Sequence, residues 1–203
     1  MSQLKSHQTT RGQEALKWLD DNSLLSVAIS AGPGQQRFVP SSLAREHFTK
    51  DRLESLLEAV CPPGFQCRQI SLDIVNKGYV LIFLILLRLN EAAMIKEFLF
   101  HARFSDRYLP FDEHTRLPPG VPKEQFLLEQ QPFCAVFIRQ GEEHFQSQSI
   151  LPIMRKEEIA HGGSAIVYRI EIHPEYDKLE RIPVLDVRTC RNQGFNKHQH
   201  DTC

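Results

Sequence analysis

Two glycines, Gly162 and Gly163, interrupt the stretch EEIAHGGSAIVYRIEIH, residues 157–173. A glycine turn between two strand-like runs has two chemical readings. It can be a plain hairpin turn, for which glycine pairs are common. It can also lie over the phosphates of a nucleotide, because without a Cβ the backbone N–H groups come close to the phosphate oxygens. From the two glycines alone, the plain hairpin is the better reading.

Three other groups of residues have types that do chemistry. His198, His200 and Cys203, with Cys190 upstream, form an H-x-H-x-x-C cluster near the C-terminus. Its spacing matches no common closed zinc site, so no metal is expected there. Cys61 and Cys67 flank PPGFQ and read as two unpaired thiols, while Cys134 sits in an apolar run and reads as packing. Asp106, Asp112, Glu113 and His114 resemble an acid–base set, but the prolines around them suggest a solvated surface loop. No G-x-S-x-G or nucleophile–base pair supports a hydrolase.

The elements that would position these groups follow from apolar periodicity. QEALKWLD, residues 13–20, reads as a short helix. Ser41 or Ser42 is expected to cap a second helix and Thr49 a third, with Leu53, Leu56, Leu57 and Val60 at helical spacing. Residues 79–101 carry the densest apolar block and predict a buried helix, a break near Asn90, and another helix; periodicity alone also allows a strand over 80–87. Residues 105–123 read as a loop, and QPFCAVFI as a short apolar strand. The period then changes to two. Ile166, Tyr168, Ile170 and Ile172 fall on one face of a strand, and Val167, Arg169, Glu171 and His173 on the other.

The bulk numbers bound the partners. The chain has 203 residues, 41% hydrophobic, with 24 Lys and Arg against 25 Asp and Glu. A net charge of −1 gives no electrostatic reason to expect nucleic acid or a membrane surface. VLIFLILL is far shorter than the roughly 20 residues of a membrane span. With a polar N-terminus and five scattered cysteines, the expectation is an intracellular protein, cytoplasmic or nuclear.

Around the glycine turn, IAHGGSAIVYRI resembles the glycine-rich loop of protein kinases in the form I-G-x-G-G-F-G-x-V-Y-K-V. Ile159 falls on the first isoleucine, Gly162 on the second loop glycine, Val167 on the loop valine, Tyr168 on the aromatic and Arg169 on the basic residue. Ala160 and Ala165 stand where the first and third loop glycines would be. The following EIHP is similar to fungal kinase-like proteins in which this strand runs into Ile-His-Pro. Further pieces occur upstream in the same order as in those proteins. They are Phe38–Val39–Pro40, Phe83–Leu87, Asp106–Phe111, Phe133–Phe137 and Leu151–Pro152. Cys134 and Ala135 depart from the usual order of the fourth piece.

The resemblance implies an N-terminal helical region followed by the first hairpin of a serine/threonine kinase domain that binds ATP and magnesium. It assigns nucleotide contact to Ile159, Gly162, Gly163 and Val167. Where φ must be positive at Ala160 or Ala165, strain of about 1–2 kcal/mol follows. Phosphoryl transfer also needs a lysine strand, an HRD…N loop and a DFG magnesium site, and none occurs in the sequence. The expectation is therefore a truncated, catalytically inactive kinase-like chain with no catalytic residue, one that does not bind ATP and magnesium productively. The fold expected is α+β: a mainly helical domain over 1–148, the hairpin within 149–185, and a disordered tail over 186–203. The alternative is a helical interaction or regulatory module that binds a protein partner without nucleotide.

Overall fold

The computed structural model of the chain describes residues 2–25, 36–140, 149–161 and 166–179, with the side chains of residues 2–9 and of Leu25 left aside. The architecture is α+β, as expected. Seven α-helices occur among the described residues: α1 Ser2–Asp21, α2 Ser41–His47, α3 Lys50–Val60, α4 Cys67–Lys77, α5 Val80–Arg88, α6 Ile95–Leu99 and α7 Lys123–Glu129. The strands form three pairs. β1 Leu24–Leu25 runs antiparallel to β2 Arg37–Phe38, β3 Ile138–Arg139 runs parallel to β6 Asp177–Lys178, and β4 Ile153–His161 runs antiparallel to β5 Ile166–Ile172.

Helix α5 is the centre of the helical body. All eight residues from Val80 to Leu87 are buried, which fits a segment that is apolar on every side. It packs against α1, α2, α4, α6 and α7. Each such side chain contributes about 1.5–3 kcal/mol of gross transfer free energy. The helix also settles the choice between helix and strand over 80–87. The helix ends at Arg88, and two residues on Asn90, with a φ of 60°, turns the chain off the helical path where the sequence predicts a break.

Two of the helices that begin without a side-chain cap of their own receive a carboxylate from far along the chain. Tyr79 precedes α5, and its side chain makes no cap bond. The Asp106 carboxylate supplies one from 24 residues downstream, accepting the Ile82 N–H at 3.1 Å. Pro40 precedes α2. Ser41 and Ser42 are not its caps but its first two residues, and a carboxylate from far along the chain meets them there. Thr49 does occupy the N-cap position of α3, although its side chain makes no cap bond. In α3, Leu53, Leu56 and Leu57 are buried at the spacing read from sequence.

Three local expectations are corrected. QPFCAVFI is not a continuous strand: Gln131–Phe133 forms a 3₁₀ turn, Ala135 makes an isolated bridge to Ile150, and only Ile138–Arg139 is strand. The stretch 105–123 is largely irregular, as expected, but Asp106 within it is only 7% exposed and not a solvated loop residue. The helix at 13–20 is the C-terminal part of a longer one.

A second, smaller core lies apart from the helical one. Phe38, Ala135, Ile150 and Tyr176 are buried together, with Leu24, Met154 and Ile172 packed against them. This cluster joins the foot of the β4–β5 hairpin to segments that flank the helical body.

Candidate functional site

The hairpin that carries the candidate nucleotide residues is a two-stranded ribbon. Its register pairs Lys156 with Ile170, Glu157 with Arg169, Glu158 with Tyr168, Ala160 with Val167 and His161 with Ile166. The register shifts between Glu158 and Ala160, so Ile159 sits at a bulge. Ile159 is 52% exposed and Val167 50% exposed, and Val167 pairs with Ala160, the neighbour of Ile159. Gly162 and Gly163 lie in 162–165, outside the described residues, as does Ala165. The structure thus brings Ile159 and Val167 to the same end of one ribbon.

The ribbon faces are held by polar contacts instead of a covering layer. Lys156 Nζ lies 3.8 Å from the centre of the Tyr168 ring, and Arg169 pairs with Glu157 at 3.4 Å. Ile166 and Ile170 remain 43% and 41% exposed. Among the described residues no third strand joins β4 and β5. A nucleotide pocket normally encloses most of its ligand, and this ribbon encloses neither Ile159 nor Val167.

The foot of the ribbon is built differently. His173, Pro174, Glu175 and Tyr176 follow β5 directly. The His173 N–H donates to Pro152 O, and the Ile138 N–H donates to Tyr176 O, both at 2.9 Å. The Tyr176 ring meets Phe38 edge-on, with centroids 5.7 Å apart. Glu175 reaches the start of α2. Its carboxylate accepts from the Ser41 hydroxyl, from the Ser42 hydroxyl at 2.8 Å and from the Ser42 N–H at 3.2 and 3.3 Å. The Ser41 N–H donates to the Tyr176 hydroxyl at 3.3 Å. Burial works to raise the Glu175 carboxyl, but the hydrogen bonds from Ser41 and Ser42 outweigh it and hold the group below its usual range. Burial, together with the Glu175 charge, pushes the Tyr176 phenol up to about 12.

The E-I-H-P segment singled out in the sequence therefore continues into a clasp, Glu175 and Tyr176, that binds the ribbon to helix α2. Sequence reading missed it because its partners lie about 134 residues away in the chain. The signal present was two adjacent serines after a proline, which asked for a carboxylate without saying which one.

The remaining candidates separate in space. Asp112 sits in an exposed turn and accepts hydrogen bonds from the Thr115 hydroxyl at 2.6 Å and the His114 N–H at 3.1 Å. Asp106 is in the core, so these residues form no acid–base set. Cys61, Cys67 and Cys134 are thiols. Burial pushes both Cys61 and Cys134 up to about 12, which leaves them protonated and unreactive at neutral pH. Cys190, His198, His200 and Cys203 lie outside the described residues. Among the described residues no group of three or more His, Cys, Asp or Glu is placed to hold a metal ion, and no helix is long and apolar enough to cross a membrane.

The helical body presents a surface of its own. A groove of about 530 Å³ runs between α1 and the α2–α3 corner. Trp18 and His47 stack at its wall, with ring centroids 3.8 Å apart. Burial and the nearby Arg52 lower the His47 pKa, which favours the neutral imidazole in this stack. Compared with known proteins, the chain matches no family model, no curated protein and no solved structure.

Proposed function

We propose that this chain is a binding module of kinase-like ancestry. Its helical body holds out the β4–β5 ribbon, and strands that are not among the described residues complete the sheet along the ribbon's free edges. In the family that the sequence resembles, the lysine strand occupies such an edge. Ile159 and Val167, with Gly162 and Gly163, then become the roof of a nucleotide site only after that completion. The chain is not itself a phosphotransferase, because its sequence supplies no lysine strand, HRD or DFG to position a phosphoryl group and its magnesium.

One observation carries this reading. The ribbon is clamped at its foot yet exposed on both faces, with Ile159, Ile166, Val167 and Ile170 each 41–52% exposed. Strand addition uses such edges, taking affinity from main-chain hydrogen bonds and specificity from alternate side chains.

The test is affinity capture with the wild-type chain and with an Ile166→Lys/Ile170→Lys double variant, followed by amide exchange on the captured complex. The expected result is a partner captured by wild type alone, with new protection on 153–172. Protection confined to the Trp18–His47 groove, with the double variant capturing equally well, would overturn the reading in favour of a helical interaction module.

A further inference from the structure

A second concave surface lies where the end of α4, the start of α5 and the turn around Arg107 meet. Its volume is about 620 Å³, within the range of small-molecule sites. Gly78 shapes it: its φ of 71° ends α4 in the left-handed conformation and turns the chain into α5. Its carbonyl accepts the Asp106 N–H at 2.8 Å, which fixes the opposite wall.

The charges on this surface are unbalanced. Arg45, Lys77 and Arg107 line it, against the single carboxylate of Asp106. That carboxylate faces inward to the Ile82 N–H, and its side chain is 2% exposed. The charge facing solvent in the cavity is therefore positive. The contacts these cations already make are weak. Arg45 lies 3.5 Å from Asp106, and Lys77 lies 3.4 Å from Asp73 with half its side chain in water. Arg107 rests over the exposed Tyr108 ring at 4.6 Å. The Lys77 pair, half in water, contributes little and is readily exchanged, and the long 3.5 Å contact from Arg45 to the buried Asp106 leaves the other donors of that half-exposed guanidinium for a ligand. On the rim, Phe100 is 76% exposed and Val75 40% exposed, an apolar shelf beside a cationic floor.

We infer that this cavity is a binding site for a small phosphate monoester with an aromatic or apolar body, the phosphate held by Arg45, Lys77 and Arg107 and the body resting on Phe100. Guanidinium groups suit phosphate because their paired N–H donors match two of its oxygens. The site is separate from the ribbon and does not depend on how the ribbon is used.

Phenyl phosphate is the probe, titrated against the full chain at constant ionic strength and followed by thermal shift and amide chemical shifts. The expected result is a saturable rise in Tm, with shifts centred on Asn76, Gly78 and Arg107. Lys77→Gln and Arg107→Gln are exposed substitutions that leave the core intact, and each is expected to weaken binding about tenfold. Phe100→Ser is expected to bring phenyl phosphate down to the affinity of inorganic phosphate. The Ile166→Lys/Ile170→Lys variant is expected to respond like wild type, so failure here is distinct from failure of the ribbon reading. A response that does not saturate, or that survives both cation substitutions unchanged, would overturn the site. Equal binding of phenyl phosphate and inorganic phosphate by wild type would overturn the aromatic body.

Discussion

In α5 every apolar side chain from Val80 to Leu87 is buried, whereas in β5 Ile166, Val167 and Ile170 stay 41–50% exposed. Both segments are rich in aliphatic residues. The difference lies in what surrounds them. Five helices pack around α5, while the β4–β5 ribbon is a two-stranded sheet with its foot alone packed into a core. Isolated two-stranded ribbons are marginal in water. This one is held by the Glu175–Tyr176 clasp and by cross-strand pairs. Apolar content therefore does not decide burial; the number of elements available to cover a segment does.

Core truncation tests that contrast most strongly. Phe83→Ala is expected to cost about 3–5 kcal/mol in urea unfolding, because Phe83 is fully buried. Val167→Ala is expected to cost less than about 0.5 kcal/mol in the same measurement. Comparable losses at the two positions would break the comparison.

The two remote carboxylates sharpen it. Removing the buried cap with Asp106→Ala leaves the Ile82 N–H without its acceptor, and is expected to cost about 1–3 kcal/mol. Glu175→Ala is expected to cost about 1 kcal/mol, with its effect concentrated in faster amide exchange over 153–179 and little change in α5.

The pH responses of these carboxylates have opposite signs. Burial pushes the Asp106 carboxyl from 3.8 up to about 6, against the opposing effects of the Ile82 and Leu81 N–H groups and Arg45. Its folded pKa is raised, so its contribution to stability is full below about 3.8 and is lost as pH rises through about 6. Urea midpoints at pH 7.5 and 5.5 are expected to show a gain at the lower pH from this group, a gain absent in Asp106→Asn. Glu175 has its pKa lowered, so its contribution is present above the unfolded value of 4.5 and is lost as pH falls through its folded value. Glu175→Gln is expected to remove that acid-side loss. A small effect is also expected at Lys156→Ala, where loss of the contact over Tyr168 costs about 0.5 kcal/mol in the same urea measurement.

Where one element's own residues carried the pattern, the sequence was readable. The leucines of α3, the buried block of α5, the break at Asn90 and the alternation in β5 all follow from local periodicity. Helix α4 was not recognised, although Ile70 and Ile74 are buried one turn apart and Gly78 marks its end. Helix α7 was missed because it is seven residues long and lies between proline-rich turns. The clasp and the Asp106 cap were not legible, since each joins residues distant in the chain and leaves no periodic trace. For the candidate site, alternation gave the ribbon and placed Ile159 and Val167 near its tip. That nothing covers them is a fact of packing and could not be read from those residues.

Site-resolved amide hydrogen exchange across the chain, with and without Mg-ATP, tests the central claim most directly. Slow exchange is expected throughout α5, with fast exchange at the end of the ribbon over Glu157–His161 and Ile166–Arg169 and no change there when Mg-ATP is added. Slow exchange at the tip of the free chain, or protection there by Mg-ATP alone, would contradict a ribbon that waits for further strands.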